Sequence, residues 1–496
     1  MSSKTDSSAL PSQTVVYAVW MLLSAAVCLQ ILMPLVHVSM FFDGGIYATV
    51  ARNLAEGRGT MWAPHFSETL FPTFAEHPPL MFWLQAIGFS VFGDTIAVEK
   101  GFSFLTFIVS AVLLFQIWMR LNQDDVIVQK AFPFALLLAL IAGRVNWGFA
   151  NNLLDNLLAV FSLAAVLLVV MAYDRPSPAI STRRLALIAT AGLAICLSLM
   201  TKGPVGLFPL AAPAIYWLVF RRPPFLVVVL DSIIILAVIV LFATALYTFE
   251  ASREAVNRYV SAQLVSSLSG GRGHYGGGLY VFRKILGVNG YSLAILAFAA
   301  LASWRFRLGR SDSLTRSQRL KRAAFLILIG MSASLPIGLS PRVANFYFNT
   351  SLLFYSAGFA ILVSPTIMEA LSRLKARQAK TFSKGALVLL MASIVIVIAN
   401  IGRLGSDGRT IEQAVAIEGL VCADEANCTP SISACANAWQ DWALHTYMQR
   451  FYKISIAKEA DVDAEYVIGE ASCGDVSGYR HTQTDIAPYV LMKRQS

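Results

Sequence analysis

Charged side chains are scarce in this chain: Asp, Glu, Lys and Arg together make up 14% of its 496 residues. An ordinary soluble domain carries roughly 25%. So little charge cannot coat a water-facing surface, while hydrophobic residues reach 56%. A soluble globular enzyme is thereby excluded. Cysteine is sparse as well, with six in all and no short Cys-x-x-Cys pair, which disfavours a zinc module. The polar first fourteen residues, Ser-rich and leading straight into a full-length apolar run, lack the short apolar core of a cleavable signal peptide. Residues 1–14 are expected to be a cytoplasmic tail and the first span a retained anchor.

What the chain does have is apolar runs near the roughly 17 to 25 residues that a bilayer demands. They lie at about 15–37, 99–119, 131–149, 153–172, 185–201, 204–220, 224–247, 287–304, 323–339, 346–366 and 383–401. The fold class expected is an all-α polytopic membrane protein of about eleven to thirteen transmembrane helices. A formal charge of +10 is of the sign that nucleic acid attracts. The cations nevertheless gather in short loops, at Arg183–Arg184, Arg221–Arg222, 305–322 and 373–384, as membrane orientation requires. No nucleic-acid partner is expected. Those loops fall on one side, taken as the cytoplasm, which puts loops 38–98 and 250–286 and everything after residue 402 on the outer face. Counting Pro79–Phe92 as a span would invert every later loop, so this stretch is read as a juxtamembrane helix that lies at the outer interface or only dips in.

Residues 15–401 form the expected membrane domain and 402–496 a small extracytoplasmic α/β domain. Four cysteines, Cys422, Cys428, Cys435 and Cys473, lie in that tail, and outside the cytoplasm they imply disulfides in one of three pairings.

Catalytic polar groups of a membrane enzyme belong at its wet ends, because charge in hydrocarbon is costly. Asp43 follows the first span directly, in FFDGGIYATVARNLAEG with Tyr47 and Arg52. Ile46, Val50 and Leu54 make a helical stripe there, so Asp43 is readable as an N-cap or as a catalytic acid. Glu76 and His77 precede Pro78–Pro79. Asp155 stands alone at the outer end of an apolar run beside Asn151, Asn152 and Asn156. Lys202 occupies the turn SLMTKGPVG, suited to phosphate or simply snorkelling. The glycine-rich stretch LSGGRGHYGGGLYVFRK carries Arg272, His274 and Tyr275 in the manner of a lid. Arg342 and Tyr347 lie in GLSPRVANFYFNT. Carboxylates can deprotonate a hydroxyl, and cations stabilise a departing phosphate.

The order Asp43, Tyr47, Arg52, then Glu76-His77-Pro78-Pro79, Asp155, Thr201-Lys202-Gly203-Pro204, His274 and Arg342 resembles the GT-C membrane glycosyltransferases over residues 10 to 370. The likeness is to the lipid A aminoarabinose transferases and to bacterial relatives of protein O-mannosyltransferases, family 39. It implies a bacterial inner-membrane enzyme taking a sugar from a polyprenyl-phosphate donor to a glycolipid, lipopolysaccharide or, less readily, protein acceptor. Asp43 and Asp155 would be the catalytic acids. Tyr47, Arg52, His77, Lys202, Arg272, Tyr275, Arg342 and Tyr347 would contact substrate. Glu76 and His274 would be a divalent-metal pair, although two ligands fall short of a full site. Gly44 departs from the second acid that many relatives carry, and His77 replaces a Lys of the aminoarabinose enzyme. The competing class is a transporter or flippase of lipid-linked sugar, which would place ionisable groups near the bilayer midplane in repeated halves. Neither feature is present.

Overall fold

A computed structural model describes residues 10–174, 181–265, 280–309, 311, 313–340, 343–422, 428, 430–458, 463–470, 476, 478–482 and 486–495. Arg272, His274, Tyr275, Arg342 and Cys473 lie outside the described residues.

The helices follow the apolar runs in order. They are α1 (Gln13–Leu35), α2 (Phe42–Ala55), α3 (Leu80–Phe92), α4 (Ile96–Leu121), α5 (Phe132–Ile141) and α6 (Arg144–Ala150). Next come α7 (Leu154–Tyr173), α8 (Thr182–Lys202), α9 (Ala212–Phe220), α10 (Phe225–Thr248) and α11 (Glu250–Tyr259). The series continues with α12 (Tyr280–Val288), α13 (Gly290–Phe306), α14 (Ser313–Ser334), α15 (Asn349–Ser372) and α16 (Ala376–Ala399). In the tail are α17 (Gly408–Val421) and α18 (Trp442–Tyr452).

Among the described residues eight helical stretches are long and apolar enough to cross a membrane, ten if each of two bent pairs is one span. One of the eight, Thr182–Phe220, is 39 residues long, nearly twice what a bilayer needs. It turns at Gly203, whose φ of +71° favours glycine. The following 3-10 stretch Gly203–Ala211 packs back on α8, where a Cβ on Gly206 would stand 2.5 Å from the Ser198 carbonyl carbon. The two apolar runs expected at 185–201 and 204–220 are thus separate helical pieces. The bent pairs, α5 with α6 at 82° and α12 with α13 at 60°, account for the runs at 131–149 and 287–304. Helix α3 has 13 residues, about 20 Å at 1.5 Å each, too short to cross roughly 30 Å of hydrocarbon.

Contacts divide the chain into two compact units. The first is residues 1–34, 103–150 and 154–401, the helical body, in which α7 packs along α8, α14 along α15 and α1 along α16. Its basic helix ends are paired: Arg319 Nε donates to Asp125 at 2.6 Å and Arg120 to Asp174 at 2.7 Å.

The second unit is residues 35–102, 151–153 and 402–496. Here the start of the first loop and the start of the tail run together: Val38 N donates to Arg403 O at 2.8 Å and Ser39 N to Leu404 O at 2.9 Å. The tail holds a five-stranded sheet of β1 (Ile432–Ala434), β2 (Ile456–Lys458), β3 (Tyr466–Glu470), β4 (Tyr479–His481) and β5 (Tyr489–Arg494), in the order β2-β1-β3-β5-β4. β1 is parallel to β2 and β3, with Ile432 opposite Ile456 and Tyr466. β5 is antiparallel to β3 and β4. The alternating strand residues Ile468 and Leu491 meet Ile411, Ala414 and Ile417 of α17 and Leu444, Tyr447 and Met448 of α18 in one core. This mixture of strand and helix is the α/β tail expected. Cys422 is bonded to Cys428, which selects one of the three pairings for these two; Cys435 is disulfide-bonded too, while Cys28 and Cys196 are free thiols.

Candidate active site

Within the helical body, three of the predicted residues meet: Asp155, Lys202 and Tyr347. Asp155 stands in the first turn of α7, where a carboxylate is favoured by the helix dipole. Lys202 is the last residue of α8. The antiparallel packing of these helices brings Lys202 Nζ to 2.5 Å from Asp155 Oδ2, and the side chains are 12% and 3% exposed. Over the ammonium lie the rings of Tyr347 at 5.0 Å and Phe346 at 6.0 Å, close enough for cation–π attraction. The 3-10 turn Asn345–Phe348 that carries them is tied to α12 by Lys284 Nζ donating to Asn345 Oδ1 at 2.8 Å. Thr350 Oγ1 donates to the Asp155 carbonyl at 3.3 Å. Gly203 has no room for a side chain, since a Cβ would lie 2.1 Å from the Tyr259 hydroxyl. Lys202 therefore sits in a built aromatic and acidic surround, not in a snorkelling position. Phe346, Tyr259 and Asn345 escaped the sequence reading; the signal for the first was the aromatic run Phe346–Tyr347–Phe348 already beside Arg342.

Within the loop-and-tail unit, α2 starts earlier than the sequence suggests. Phe41 is its N-cap residue and Asp43 lies inside the first turn, so the N-cap reading of Asp43 is corrected. The turn is fixed by the segment 151–153: Asn151 Oδ1 accepts from Phe41 N at 2.6 Å, and Asn152 Nδ2 donates to Gly44 O at 3.2 Å. Asn152 adopts φ of +52° to do so, a conformation that Asn tolerates. The Gly44 departure then has a steric cause. Any Cβ on Gly44 would fall 2.0 Å from the Asn151 carbonyl oxygen, so a second acid cannot stand there with this backbone. One turn on, the Tyr47 hydroxyl reaches His77 Nε2 at 3.2 Å and the two rings meet edge to face at 5.6 Å. Glu76 precedes His77 and is partly buried.

Arg52 is placed differently from a substrate ligand. It is 1% exposed and its guanidinium is fully engaged, with Nη1 3.2 Å from Asp94, Nη2 donating to the Gln449 carbonyl at 3.0 Å and Nε to Asn53 at 3.0 Å. Arg450 completes the cluster by pairing with Glu99 at 3.0 Å and Asp94 at 2.5 Å. Burial lowers the Arg52 pKa against the pull of Asp94. For Arg450, burial is outweighed by Glu99 and Asp94, which hold it above its ordinary value. Asp94 would be raised by burial, yet Arg450 and Arg52 bring it below the ordinary carboxylate value. Arg52 is thus a strut joining α2 to the tail. The periodicity of α2 gave no sign of this, because its partners lie up to 398 residues away.

Of the metal pair, His274 is outside the described residues, and among the described residues no three His, Cys, Asp or Glu side chains converge as a metal requires.

Residues 76–247 match the family described as dolichyl-phosphate-mannose-protein mannosyltransferase. No curated protein sequence matches the chain. Among solved structures, the chain is similar to ArnT from Cupriavidus metallidurans bound to undecaprenyl phosphate, with a TM-score of 0.61 at 15% identity, covering 96% of this chain and 97% of that one. The apo state of the same protein gives 0.61 at 16% identity over 95% and 97%. The apo oligosaccharyltransferase of Archaeoglobus fulgidus gives 0.54 at 13% identity, over 92% of this chain and 69% of that one. The chain therefore carries the GT-C membrane glycosyltransferase fold and, across residues 76–247, resembles the dolichyl-phosphate-mannose-protein mannosyltransferases.

Proposed function

We propose that this chain transfers a sugar from a polyprenyl-phosphate carrier to a cell-envelope acceptor, a lipopolysaccharide or other glycolipid before a protein, at the outer face of a bacterial inner membrane. The observation that carries this reading is the Lys202 ammonium, held 2.5 Å from Asp155 beneath two aromatic rings, in a chain whose fold is shared with ArnT, a protein seen bound to undecaprenyl phosphate. The many apolar spans and the one-sided basic loops support the membrane setting.

In the reaction, an acceptor hydroxyl attacks the anomeric carbon, the bond from that carbon to the phosphate oxygen breaks, and polyprenyl phosphate departs with the electron pair. Asp43, at the head of α2, is the base that takes the hydroxyl proton. Lys202 meets the charge developing on the phosphate. One of its three N–H donors goes to Asp155 and the others can serve oxygen, so Asp155 acts chiefly by orienting the ammonium. Tyr347 walls the same cation. Tyr47 and His77, joined to each other, face substrate from the loop, and Arg272, Tyr275 and Arg342 add cationic and polar contacts from segments outside the described residues.

The test is to compare envelope glycans, by mass spectrometry, from wild-type cells, deleted cells and cells carrying Asp43→Asn, after confirming that the variant accumulates in the membrane. Loss of the same single sugar from the deletion and the variant supports the reading, and the mass difference gives the sugar class. An unchanged glycan profile on deletion, or full activity of Asp43→Asn, rejects it.

A further inference from the structure

Helix α18 of the tail packs on the first turn of α2. Thr446 Oγ1 donates to the Phe42 carbonyl at 3.4 Å, and a Cβ on Gly45 would lie 2.3 Å from the Thr446 methyl. Trp442 stands four residues before Thr446, hence on the same helical face one turn earlier. Its ring centroid is 6.4 Å from that of Phe42, with planes 26° apart. Phe71, from the loop between α2 and α3, approaches the same indole at 6.1 Å and 20°. Rings so nearly parallel, with centroids well beyond the roughly 3.5–4.0 Å of touching carbons, are offset and leave part of each face open.

The open faces are visible in the burial. Trp442 is 39% exposed, and Phe42 and Phe71 are each only partly buried. The indole N–H of Trp442 makes no hydrogen bond among the described residues. Phe71 also holds φ of +54°, a left-handed conformation disfavoured for a bulky residue and kept where the surroundings demand it.

We propose that Phe42, Phe71 and Trp442 form a stacking platform for a sugar ring of the acceptor, an inference that rests on the transferase reading. The electron-rich faces of aromatic rings attract partly positive hydrogens, which a pyranose presents along one face. Its hydroxyls can meet the open indole N–H. An acyl chain would use the faces and leave that donor unpaired. Phe42 is the residue before Asp43, so the platform is carried by the same helical turn as the proposed base.

The experiment uses the full-length protein in lipid nanodiscs and, as probe, the water-soluble oligosaccharide released by deacylation and mild acid from the envelope glycolipid of deleted cells. Binding is read by saturation-transfer NMR and calorimetry for wild type, Trp442→Ala, Phe71→Ala and Trp442→Phe. Each alanine variant is expected to weaken binding about tenfold, and Trp442→Phe, which keeps a ring, by no more than about threefold. Matching thermal melts show that the variants are folded; if Trp442→Ala misfolds, Phe71→Ala and Trp442→Phe decide. Wild-type affinity in both alanine variants, or no binding by the wild type, overturns the platform. If deletion leaves the envelope glycans unchanged but the oligosaccharide still binds through Trp442, the transferase reading falls and the platform stands.

Discussion

Removing one partner of the Lys202–Asp155 pair should harm the protein in two separable ways. Lys202→Met leaves a carboxylate that is 3% exposed without its cation. Stranding a buried charge costs about 3–5 kcal/mol. Spread over the helical body, whose unfolding entropy scales with its length, this lowers the melting midpoint by roughly 3–7 °C. The double variant Lys202→Met with Asp155→Leu removes both charges and fills the space with apolar atoms, an exchange that is often close to neutral. Stability should therefore return while transfer does not, because the ammonium proposed to meet the phosphate is still missing. The assay is thermal unfolding of purified protein in nanodiscs, beside mass spectrometry of envelope glycans from cells expressing each form. If the double variant transfers sugar as well as wild type, Lys202 and Asp155 are structural only and the proposed phosphate role is refuted. If Lys202→Met melts with wild type, the pair is not the buried, mutually dependent contact described here.

Three other outcomes are expected. Gly45→Ala should destabilise the protein by about 1–3 kcal/mol through overpacking, and Thr446→Ser should rescue it, since the nearest remaining atom, the Thr446 Cβ, would be 3.8 Å away; Gly44→Ala, which strikes backbone, should find no such rescue, as thermal melts of the four variants will show. Asp94 titrates below its ordinary value because Arg450 and Arg52 outweigh its burial, so the stability it gives is present above about pH 4 and is lost as pH falls through its folded value; Asp94→Asn should flatten that acid limb in a melting-versus-pH series. Alkylation of the denatured, unreduced chain should label Cys28 and Cys196 and spare Cys422, Cys428 and Cys435, which peptide mass spectrometry reads directly.

The helical body was largely legible because hydrocarbon imposes a length rule on single segments: each apolar run reappears in helix, and α3, with 13 residues, is too short to cross. What single-segment rules cannot express is pairing across the chain. Arg52 and Asp43 look equally functional on the face of α2, yet Arg52 is consumed by Asp94 and by carbonyls of residues 449 and 450, and only the folded tail reveals it. The same holds for Gly44 and Gly45, which read as a weak start to a helix. Their lack of side chains admits the Asn151 carbonyl on one and the Thr446 methyl on the other.

These close approaches also argue against treating the tail as an appendage. Arg450 neutralises Glu99, which is 1% exposed, and a carboxylate so enclosed would be stranded by loss of its partner at a cost of about 3–5 kcal/mol. Met40 N and O both bond the Tyr447 hydroxyl, at 3.2 and 3.0 Å, which fixes the backbone three residues before Asp43. A truncation at residue 402 would remove all of these contacts together while leaving every apolar span intact. The shortened chain should still reach the membrane, but α2 would lose the groups that set its first turn, and with them the position of the proposed base.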